Sequence, residues 1–259
     1  MKLKIYQIDA FASKCFEGNP AAIIPLESWL PDEIMQKIAQ ENNLSETAFF
    51  VKDKEKYHLR WFTPTAEVDM CGHATLASAY VLFECLEYGG TKIVFMTKSS
   101  ELQVSKEQNT YVMDFPIQSL KQCDIKSKIE EAFGVVPLET FASMDYIVVF
   151  EYEEDVIHAK PDMQILKELD LRGVCITAPS QKYDFVTRFF APKYGIEEDP
   201  VTGSAFTQLV NYWAKELDKN ILHAKQVSSR GGEVICRVGK DRVEILGSVV
   251  KYLEGDIEV

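Results

Sequence analysis

The sequence predicts an α+β fold made of two similar lobes. Short apolar segments of partly alternating character outnumber the segments with helical periodicity, and neighbouring strand segments follow one another at hairpin spacing. This spacing favours antiparallel sheets wrapped on a helix over a parallel, doubly wound sheet. In addition, a short pattern recurs about half a chain further on, which suits a chain of 259 residues divided into two lobes.

The predicted strands and helices are distributed over both halves of the chain. Strands are predicted over residues 3–11, 47–51, 57–62, 92–97 and 110–115, and then over 147–151, 174–178, 185–190, 226–229, 234–238 and 243–246. Helices are predicted over residues 32–42, 74–83, 125–133, 163–169 and 205–217. The polar stretch around 116–121 places the boundary between a lobe of residues 1–117 and a lobe of residues 118–259, with a terminal strand that could cross between the lobes.

An aromatic strand, a proline and an acidic turn occur twice in the same order. Arg60-Trp61-Phe62-Thr63-Pro64 recurs as Arg188-Phe189-Phe190-Ala191-Pro192. Each copy leads to a turn that opens a helical segment, and these turns contain Gly72 and Gly203, about half the chain length apart. We interpret the pattern as an internal duplication.

Charge and composition restrict the partners of this protein. Lys and Arg number 28 against 40 Asp and Glu, and the formal net charge of −12 argues against binding to a nucleic-acid backbone. No apolar stretch approaches the roughly 18 residues of a membrane helix, and Gln7 and Asp9 interrupt the first apolar segment, so no signal peptide is expected. We therefore expect a cytoplasmic protein without a membrane or nucleic-acid partner.

The sequence lacks the motifs that commonly hold cofactors or metals. It contains no glycine-rich dinucleotide or phosphate loop, no HExxH, no EF-hand loop and no GxSxG elbow. Its six cysteines include no CxxC pair, which argues against a zinc site and indicates reduced, mostly buried thiols. We therefore expect neither a cofactor nor a metal, and acid-base chemistry would use carboxylates, a thiol or His73.

The two repeated turns are candidate anion-binding sites. The first amides of a helix lack intrahelical partners and lie at the positive end of its dipole. If the lobes pack with pseudo-two-fold symmetry, Gly72-His73 and Gly203-Ser204 would present such amides from opposite sides of a cleft. The alternative is that both glycines only allow a helix and a strand to pack closely.

Three side chains near these turns are candidates for handling a substrate. His73 could bind substrate or relay a proton, and a helix start favours its neutral form; the alternative is a buried histidine bonded to the backbone. Ser204 could instead be an ordinary first-turn residue. Asp199 precedes Pro200, which favours an extended conformation, and it could orient substrate, cap the following turn, or do both.

Glu46 is the candidate acid-base residue. It is a lone acid at the start of an apolar strand, where burial at the edge of a core can raise the pKa of a carboxyl group. The alternative is a solvated loop residue.

Six segments match, in order, the pattern of a known family. They are Tyr6-Gln7-Ile8-Asp9-Ala10-Phe11, Phe16-Glu17-Gly18-Asn19-Pro20-Ala21-Ala22, Leu44-Ser45-Glu46-Thr47-Ala48-Phe49, Arg60-Trp61-Phe62-Thr63-Pro64, Gly72-His73-Ala74-Thr75-Leu76 and Asp199-Pro200-Val201-Thr202-Gly203-Ser204-Ala205. With these segments the chain resembles, nearly end to end, the PhzF-like isomerase family of phenazine biosynthesis, which is itself similar to diaminopimelate epimerase.

The resemblance implies a fold and an activity. The fold would have two pseudo-symmetric lobes of antiparallel-rich sheet, each wrapped on a central helix, with the active site between them and without a metal or an organic cofactor. Glu46 would take a proton from one carbon of a small carboxylic acid and return it to another. The family resemblance also implies a homodimer.

The resemblance further implies roles for the two turns. His73, Asp199 and Ser204 would orient the substrate and assist proton handling. The backbone amides at Gly72 and Gly203 would bind the substrate's carboxylate.

The thiol pattern of diaminopimelate epimerase is only half present. Cys71 lies where the first thiol would be, but the second turn offers Val201 and Thr202, so racemisation by two thiols is not supported. A buried structural Cys71 is favoured over a reactive thiol, although a helix N-terminus lowers the pKa of a thiol. Two rival functions stay open: an amino-acid epimerase or racemase that uses Glu46 or Cys71 with a second base, and a non-catalytic protein that binds small carboxylates.

Overall fold

The computed structural model describes all residues from 1 to 259, and it divides them into two compact units. Unit 1 comprises Met1–Asp114 together with Leu246–Val259, and unit 2 comprises Phe115–Ile245. The sequence-based boundary lay at residue 117, and the terminal strand belongs to unit 1. No helix of the chain is both long enough and apolar enough to span a membrane.

Unit 1 is a largely antiparallel sheet packed around one buried helix. Its elements up to the junction are β1 (Lys2–Ala10), β2 (Asn19–Leu26), α1 (Asp32–Asn42), β3 (Glu46–Asp53), β4 (Lys56–Phe62), β5 (Glu67–Val68), α2 (Gly72–Tyr80), β6 (Lys92–Met96), β7 (Glu101–Glu107) and β8 (Thr110–Pro116). A five-residue π-helical turn, Val81–Cys85, continues α2. Strand β1 is antiparallel to β2, β2 is parallel to β3, and β4 is antiparallel to β3 and parallel to β6.

Unit 2 repeats this arrangement. Its elements are β9 (Lys121–Gln122), α3 (Lys126–Phe133), β10 (Glu139–Ala142), β11 (Tyr146–Val149), α4 (Glu153–Ile157), α5 (Met163–Lys167), β12 (Val174–Pro179), β13 (Phe185–Ala191), β14 (Ile196–Asp199), α6 (Gly203–Glu216), β15 (Ile221–Gln226), β16 (Gly232–Val238) and β17 (Arg242–Gly247). The last strand, β18 (Val249–Glu258), pairs antiparallel with β1 and so completes unit 1.

The internal duplication inferred from the sequence is visible as the same order of strand pairings in both units. Strand β11 is parallel to β12 as β2 is to β3, and β13 is parallel to β15 as β4 is to β6. In each unit the arginine of the repeated aromatic strand forms a bidentate pair with a glutamate of the next strand: Arg60 with Glu67 and Arg188 with Glu198. The predicted α+β class and pseudo-symmetric fold are thus confirmed.

The two central helices occupy equivalent places and are buried for the same reason. Every residue of α2 except Tyr80 is buried, and so are the first eight residues of α6. Both segments begin with glycine. Apart from His73 and Gln208, their buried residues are apolar or small, which is typical of a helix that is packed on all sides. The burial places the first turn of each helix inside the protein rather than at its surface.

The predicted elements differ from the structure mainly in weakly alternating segments. The helix predicted over 32–42 matches α1, and the other four predicted helices lie within three residues of observed ends when the π-helical turn is counted with α2. The strand predicted over 226–229 was wrong, because β15 ends at Gln226. In β15 the apolar Ile221 is exposed while the polar Gln226 is buried. The order of apolar and polar residues therefore does not indicate which positions of this strand face the core.

Candidate active site

Glu46 lies at the first position of β3, beside Ala21 of the parallel strand β2. Its exposed fraction is 9%, so the carboxylate lies at the edge of the core rather than in a solvated loop. The apolar continuation of β3 explains this placement, since Ala48 and Phe49 are fully buried and draw the start of the strand inward.

His73 meets Glu46 at the start of α2. It is the second residue of the helix and only 5% exposed, and its Nε2 lies 3.0 Å from Oε2 of Glu46. The contact has the distance of an ion pair but not the alignment of a hydrogen bond, and neither atom has another hydrogen-bond partner. Buried polar atoms without aligned partners are costly to maintain, and such atoms concentrate at functional sites.

The other ring nitrogen of His73 is held by two neighbours. Nδ1 lies 3.1 Å from Nδ2 of Asn19 and 3.5 Å from Sγ of Cys71. Asn19 is the first residue of β2 and is fully buried. When its amide donates to Nδ1, the ring proton of the neutral imidazole is on Nε2 and faces Glu46.

The charge on His73 differs from the sequence-based interpretation. Burial lowers the pKa of the imidazole, but the contacts with Cys71 and Glu46 raise it, so that the pKa of His73 lies well above 6.5. At neutral pH the Cys71 thiol is protonated, and the contribution of charge then comes from Glu46. The expectation of a neutral ring considered only the helix N-terminus. A carboxylate 3.0 Å away outweighs that dipole, because two groups buried together interact more strongly than either does with a screened helix end.

Cys71 is a protonated thiol at neutral pH. Burial, with a further contribution from the charge of Glu46, raises the pKa of Cys71 to about 11. Thiolate is the reactive form of cysteine. The structure therefore supports the interpretation of Cys71 as a buried packing residue that also contacts His73.

Glu46, Cys71 and His73 also have the donor types of a metal site. Their ligand atoms lie within 4.8 Å of one another. However, His73 uses different nitrogens for its two neighbours, Nε2 toward Glu46 and Nδ1 toward Cys71. A single ion would be bound by only one of these nitrogens.

In unit 2 the second turn is built in the same way as the first. Gly203 and Ser204 are the first two residues of α6, as Gly72 and His73 are of α2. Neither helix has a hydrogen bond from its N-cap side chain, so the first-turn amides are not capped in that way. Neither glycine has a positive φ. The backbone conformation therefore does not require glycine there.

Asp199 closes the second turn. It is the last residue of β14, and its Oδ2 accepts a hydrogen bond from Oγ1 of Thr202 at 2.5 Å. Gln226, fully buried in β15, accepts from the amide of Thr202 at 2.8 Å and donates to the carbonyl of Asp199 at 2.6 Å. Asp199 thus stabilises the turn.

A network that the sequence analysis missed lies beside Ser204. Arg172 donates to both carboxylate oxygens of Asp145, at 2.8 and 2.6 Å, and to Oγ of Ser204 at 3.0 Å. Asp145 is fully buried and also accepts from Gln208 of α6. These residues are far apart in sequence and carry no motif, so no sequence signal could have found them. Asn19 was not predicted as a site residue either, although its place within a matched segment is a signal that could have identified it.

The structure therefore brings the predicted site residues into two groups. Glu46 and His73 meet in unit 1, and Asp199 lies at the turn that leads to Ser204 in unit 2. That the two turns face each other stays a prediction.

Solved structures similar to this chain share its fold. A phenazine biosynthesis protein of the PhzF family from Enterococcus faecalis aligns over 100% of both chains, with a TM-score of 0.98 and 45% sequence identity. A hydroxyproline epimerase from Agrobacterium vitis aligns over 99% of this chain and 92% of its own, with a TM-score of 0.64 and 9% identity, which shows a shared fold alone. The protein therefore has the pseudo-symmetric α+β fold of epimerase-like enzymes.

Sequence comparisons identify the family within that class. The family model described as phenazine biosynthesis-like protein matches residues 8–255. Two uncharacterized isomerases of Pseudomonas aeruginosa are 46% and 47% identical to the chain, over 100% of it and of each relative. A phenazine biosynthesis-like domain-containing protein of Bos taurus is 38% identical over 99% of both chains. The chain belongs to the phenazine biosynthesis-like (PhzC-PhzF) family, a family of isomerases, as its motifs predicted.

Proposed function

We propose that this protein is a cofactor-independent isomerase that shifts a proton, and with it a double bond, within a small carboxylic acid. Glu46 is the general acid-base residue. The observation that carries this proposal is the buried contact between Glu46 and His73, 3.0 Å apart and without aligned hydrogen-bond partners. Both residues occupy positions that match the family pattern.

The proposed reaction needs one carboxylate and no redox step. Glu46 accepts a proton from a carbon of the substrate, and the electron pair of the broken C–H bond delocalises toward the substrate's carboxylate. Glu46, now a neutral acid, returns the proton to a different carbon, and the double bond moves accordingly. His73 lies where its Nε2–H can orient the Glu46 carboxylate in the resting state.

The remaining site residues are assigned to binding and charge stabilisation. Asp199 and Ser204 orient the substrate, and the amides at Gly72 and Gly203 bind its carboxylate, where negative charge accumulates after proton removal. Donors that are already fixed by helix starts cost little reorganisation during the reaction. The burial of Glu46 and His73 reduces exchange of the transferred proton with solvent.

The test is proton NMR in D2O with amino acids, hydroxy acids and cyclic unsaturated acids as candidate substrates. We expect enzyme-dependent loss or migration of one carbon-bound proton signal with one substrate class, and a loss of at least about 10³-fold in rate for Glu46→Gln, because the amide cannot accept the proton. The matched control is Glu67→Gln, a glutamate of the same unit that pairs with Arg60, which should keep its rate. A Glu46→Gln enzyme with wild-type rate would contradict the proposal.

The rival epimerase mechanism makes a different prediction for Cys71. A thiol whose pKa is about 11 is a poor base at neutral pH, and Thr202 at the equivalent place in unit 2 donates its hydroxyl to Asp199. We therefore expect Cys71→Ser to keep most of the activity. Loss of activity in Cys71→Ser together with retention in Glu46→Gln would favour the thiol route, and binding without turnover in the wild type would favour a pure binding protein.

We also propose that the protein is a homodimer, on the basis of the family resemblance. Light scattering coupled to size-exclusion chromatography would give about twice the chain mass of 29.5 kDa if this is right.

A further inference from the structure

Arg172 is a half-buried cation that none of the roles above uses. It belongs to unit 2 and follows α5 in the chain. We propose that Arg172 and Ser204 form a carboxylate-binding subsite, in which Nη1 of the guanidinium donates to one oxygen of a planar carboxylate and the Ser204 hydroxyl donates to the other. This inference rests on the proposed function only in taking the ligand to be the substrate's carboxylate, for which these two donors add to the backbone amides already assigned.

The guanidinium of Arg172 has one edge fully engaged, and on its other edge Nη1 is available. Nε and Nη2 donate to the two oxygens of Asp145, at 2.8 and 2.6 Å. Nη2 also lies 3.0 Å from Oγ of Ser204, whereas Nη1 makes no hydrogen bond within the chain. Because Nη2 donates one hydrogen to Asp145 and the other to Ser204, the donors left for a carboxylate on this second edge are Nη1 and the adjacent Ser204 hydroxyl.

The position of this edge is fixed by its supports. Asp145 is fully buried, and Gln208 both donates to its Oδ2 at 2.7 Å and accepts from its backbone amide at 3.0 Å. The guanidinium also stacks on Phe189, 5.3 Å from the ring centroid. An arginine held on one edge and one face loses little freedom when a ligand binds its remaining edge. The Arg172 side chain is 34% exposed, so the edge can be reached.

Arg188 of the same unit serves as a comparison, because its Nη1 is hydrogen-bonded within the chain. It too forms a bidentate pair, with Glu198, and it stacks on Phe190 at 5.0 Å. Its Nη1, however, lies within 2.8 to 3.3 Å of three backbone carbonyls, those of Val156, Ile157 and Ala159. Arg188 therefore serves structure alone. Arg172 differs because its Nη1 makes no hydrogen bond within the chain and can therefore donate to a ligand.

Ser204 adds a donor directed to the same place. Its Oγ accepts from Arg172, and its hydroxyl hydrogen has no acceptor within the chain, although the residue is only 7% exposed. A buried hydroxyl is stabilised when both its donor and its acceptor capacity are used. A carboxylate oxygen at the Arg172 edge would accept this hydrogen.

Local charge does not by itself attract an anion to this subsite. Asp145 neutralises Arg172, and Asp199 is also close enough to raise the pKa of the guanidinium. Affinity must therefore come from directed hydrogen bonds, which depend on ligand shape. We expect a planar carboxylate to bind, and an equally sized neutral amide to bind at least tenfold more weakly, a difference of about 1.4 kcal/mol.

The experiment is an NMR titration of the full-length protein with benzoate and, separately, with benzamide. In the wild type we expect benzoate to bind at least about tenfold more tightly than benzamide. Arg172→Met should remove that preference, and Arg172→Lys should not restore it, because an ammonium group lacks the planar fork. Ser204→Ala should weaken benzoate binding severalfold. The matched control, Arg188→Met, should leave the preference unchanged if the protein stays folded.

A second variant distinguishes loss of the subsite from loss of the fold. Arg172→Met leaves the buried Asp145 unpaired, so the double variant Asp145→Asn with Arg172→Met removes both charges and keeps a partner for Gln208. It too should lose the benzoate preference while its circular dichroism and melting curve stay native.

The proposal fails if benzoate and benzamide bind wild type equally, if benzoate does not bind at all, or if the folded double variant keeps the preference. Failure of the proposed function looks different. In that case the wild type would cause neither loss nor migration of a carbon-bound proton signal on any substrate. Benzoate would still bind in an Arg172-dependent manner, and Glu46→Gln would bind benzoate as the wild type does.

Discussion

At the scale of single residues, the proposed chemistry depends on two buried side chains, Glu46 and His73. A general base must be held in its proton-accepting form without being permanently satisfied by a strong hydrogen bond. The Glu46 and His73 contact has this character, because the groups are 3.0 Å apart but not aligned. Small movements of the His73 ring would therefore change the strength of its interaction with the Glu46 carboxylate, and with it the ability of Glu46 to accept a proton from a substrate.

The raised pKa of His73 predicts a pH-dependent contribution to stability. Because the pKa of His73 in the folded protein lies above the 6.5 of the unfolded chain, the stabilisation is fully present below pH 6.5 and is lost as the pH rises through the folded-state pKa. Urea denaturation should show the free-energy difference between the wild type and His73→Gln shrinking above pH 6.5, by up to about 1.4 kcal/mol per pH unit. Glu46→Gln, which lacks the paired carboxylate, should show a weaker dependence. A difference that stays constant from pH 5 to 8.5 would contradict this assignment.

Asn19 is predicted to act through His73 rather than on substrate. Asn19→Ala removes the amide 3.1 Å from Nδ1, so the ring loses a partner that fixes its orientation. We expect kcat to fall by about tenfold with little change in KM, since losses from disrupted support of a catalytic histidine are of that order. The pH profile of kcat should also shift in Asn19→Ala. A purely structural role would lower the melting temperature and leave the pH profile unchanged.

Individual elements position these residues through their ends. Asn19 opens β2, Glu46 opens β3 and His73 opens α2, so three element starts meet at one point. Sequence patterns locate the interiors of elements better than their ends, because hydrophobic periodicity is an interior property. Strand β2 itself escaped prediction: its segment, Asn19–Leu26, contains two prolines and is buried on both faces, so it shows no alternation.

Gly18 sets the entry into β2, and its replacement should be costly. It has a φ of +66°, and a Cβ added there would lie 2.0 Å from the carbonyl oxygen of Ala10. We expect Gly18→Ala to lower the free energy of unfolding by more than about 2 kcal/mol and to reduce activity by displacing Asn19. Chemical denaturation and the exchange assay would measure the two effects.

Gly134 is the matched control for that substitution. It has a φ of +70°, but an added Cβ would meet nothing within 4 Å. Gly134→Ala should therefore cost only the conformational strain, about 1 kcal/mol, and should leave activity unchanged. Equal losses in the two variants would show that backbone conformation, and not the close approach to Ala10, accounts for Gly18.

At the scale of the whole molecule, the chain consists of two similar units, and both ends of the chain belong to unit 1. Unit 1 takes its first strand from the start of the chain and its last from the end, and β1 pairs with β18 along its full length, from Lys2 opposite Glu258 to Ala10 opposite Val249. Strand β18 is largely exposed and polar, so hydrophobic alternation gave no signal for it. Its place is decided by pairing with β1.

Deletion of residues 249–259 should therefore damage unit 1 more than unit 2. It removes the ladder that covers one edge of β1, and an uncovered edge strand invites aggregation. Limited proteolysis followed by mass spectrometry should find early cleavage within residues 1–114 in the shortened protein. The surface ion pair between Lys2 and Asp256 is a milder control, and Lys2→Ala should change stability by less than about 1 kcal/mol. Cleavage first in unit 2 would contradict this expectation.

The sequence by itself determined the fold class, the duplication and the family, and it predicted Glu46, His73, Asp199 and Ser204 as candidate site residues. These properties are carried by local patterns: the periodicity of apolar residues, turn chemistry and short ordered motifs. The tertiary structure alone decided the charge of His73, the low reactivity of Cys71 and the Arg172 network. Such properties depend on burial and on neighbours such as Asp145 and Gln208 that are distant in the chain, and a pKa or an available hydrogen-bond edge arises only when those neighbours meet.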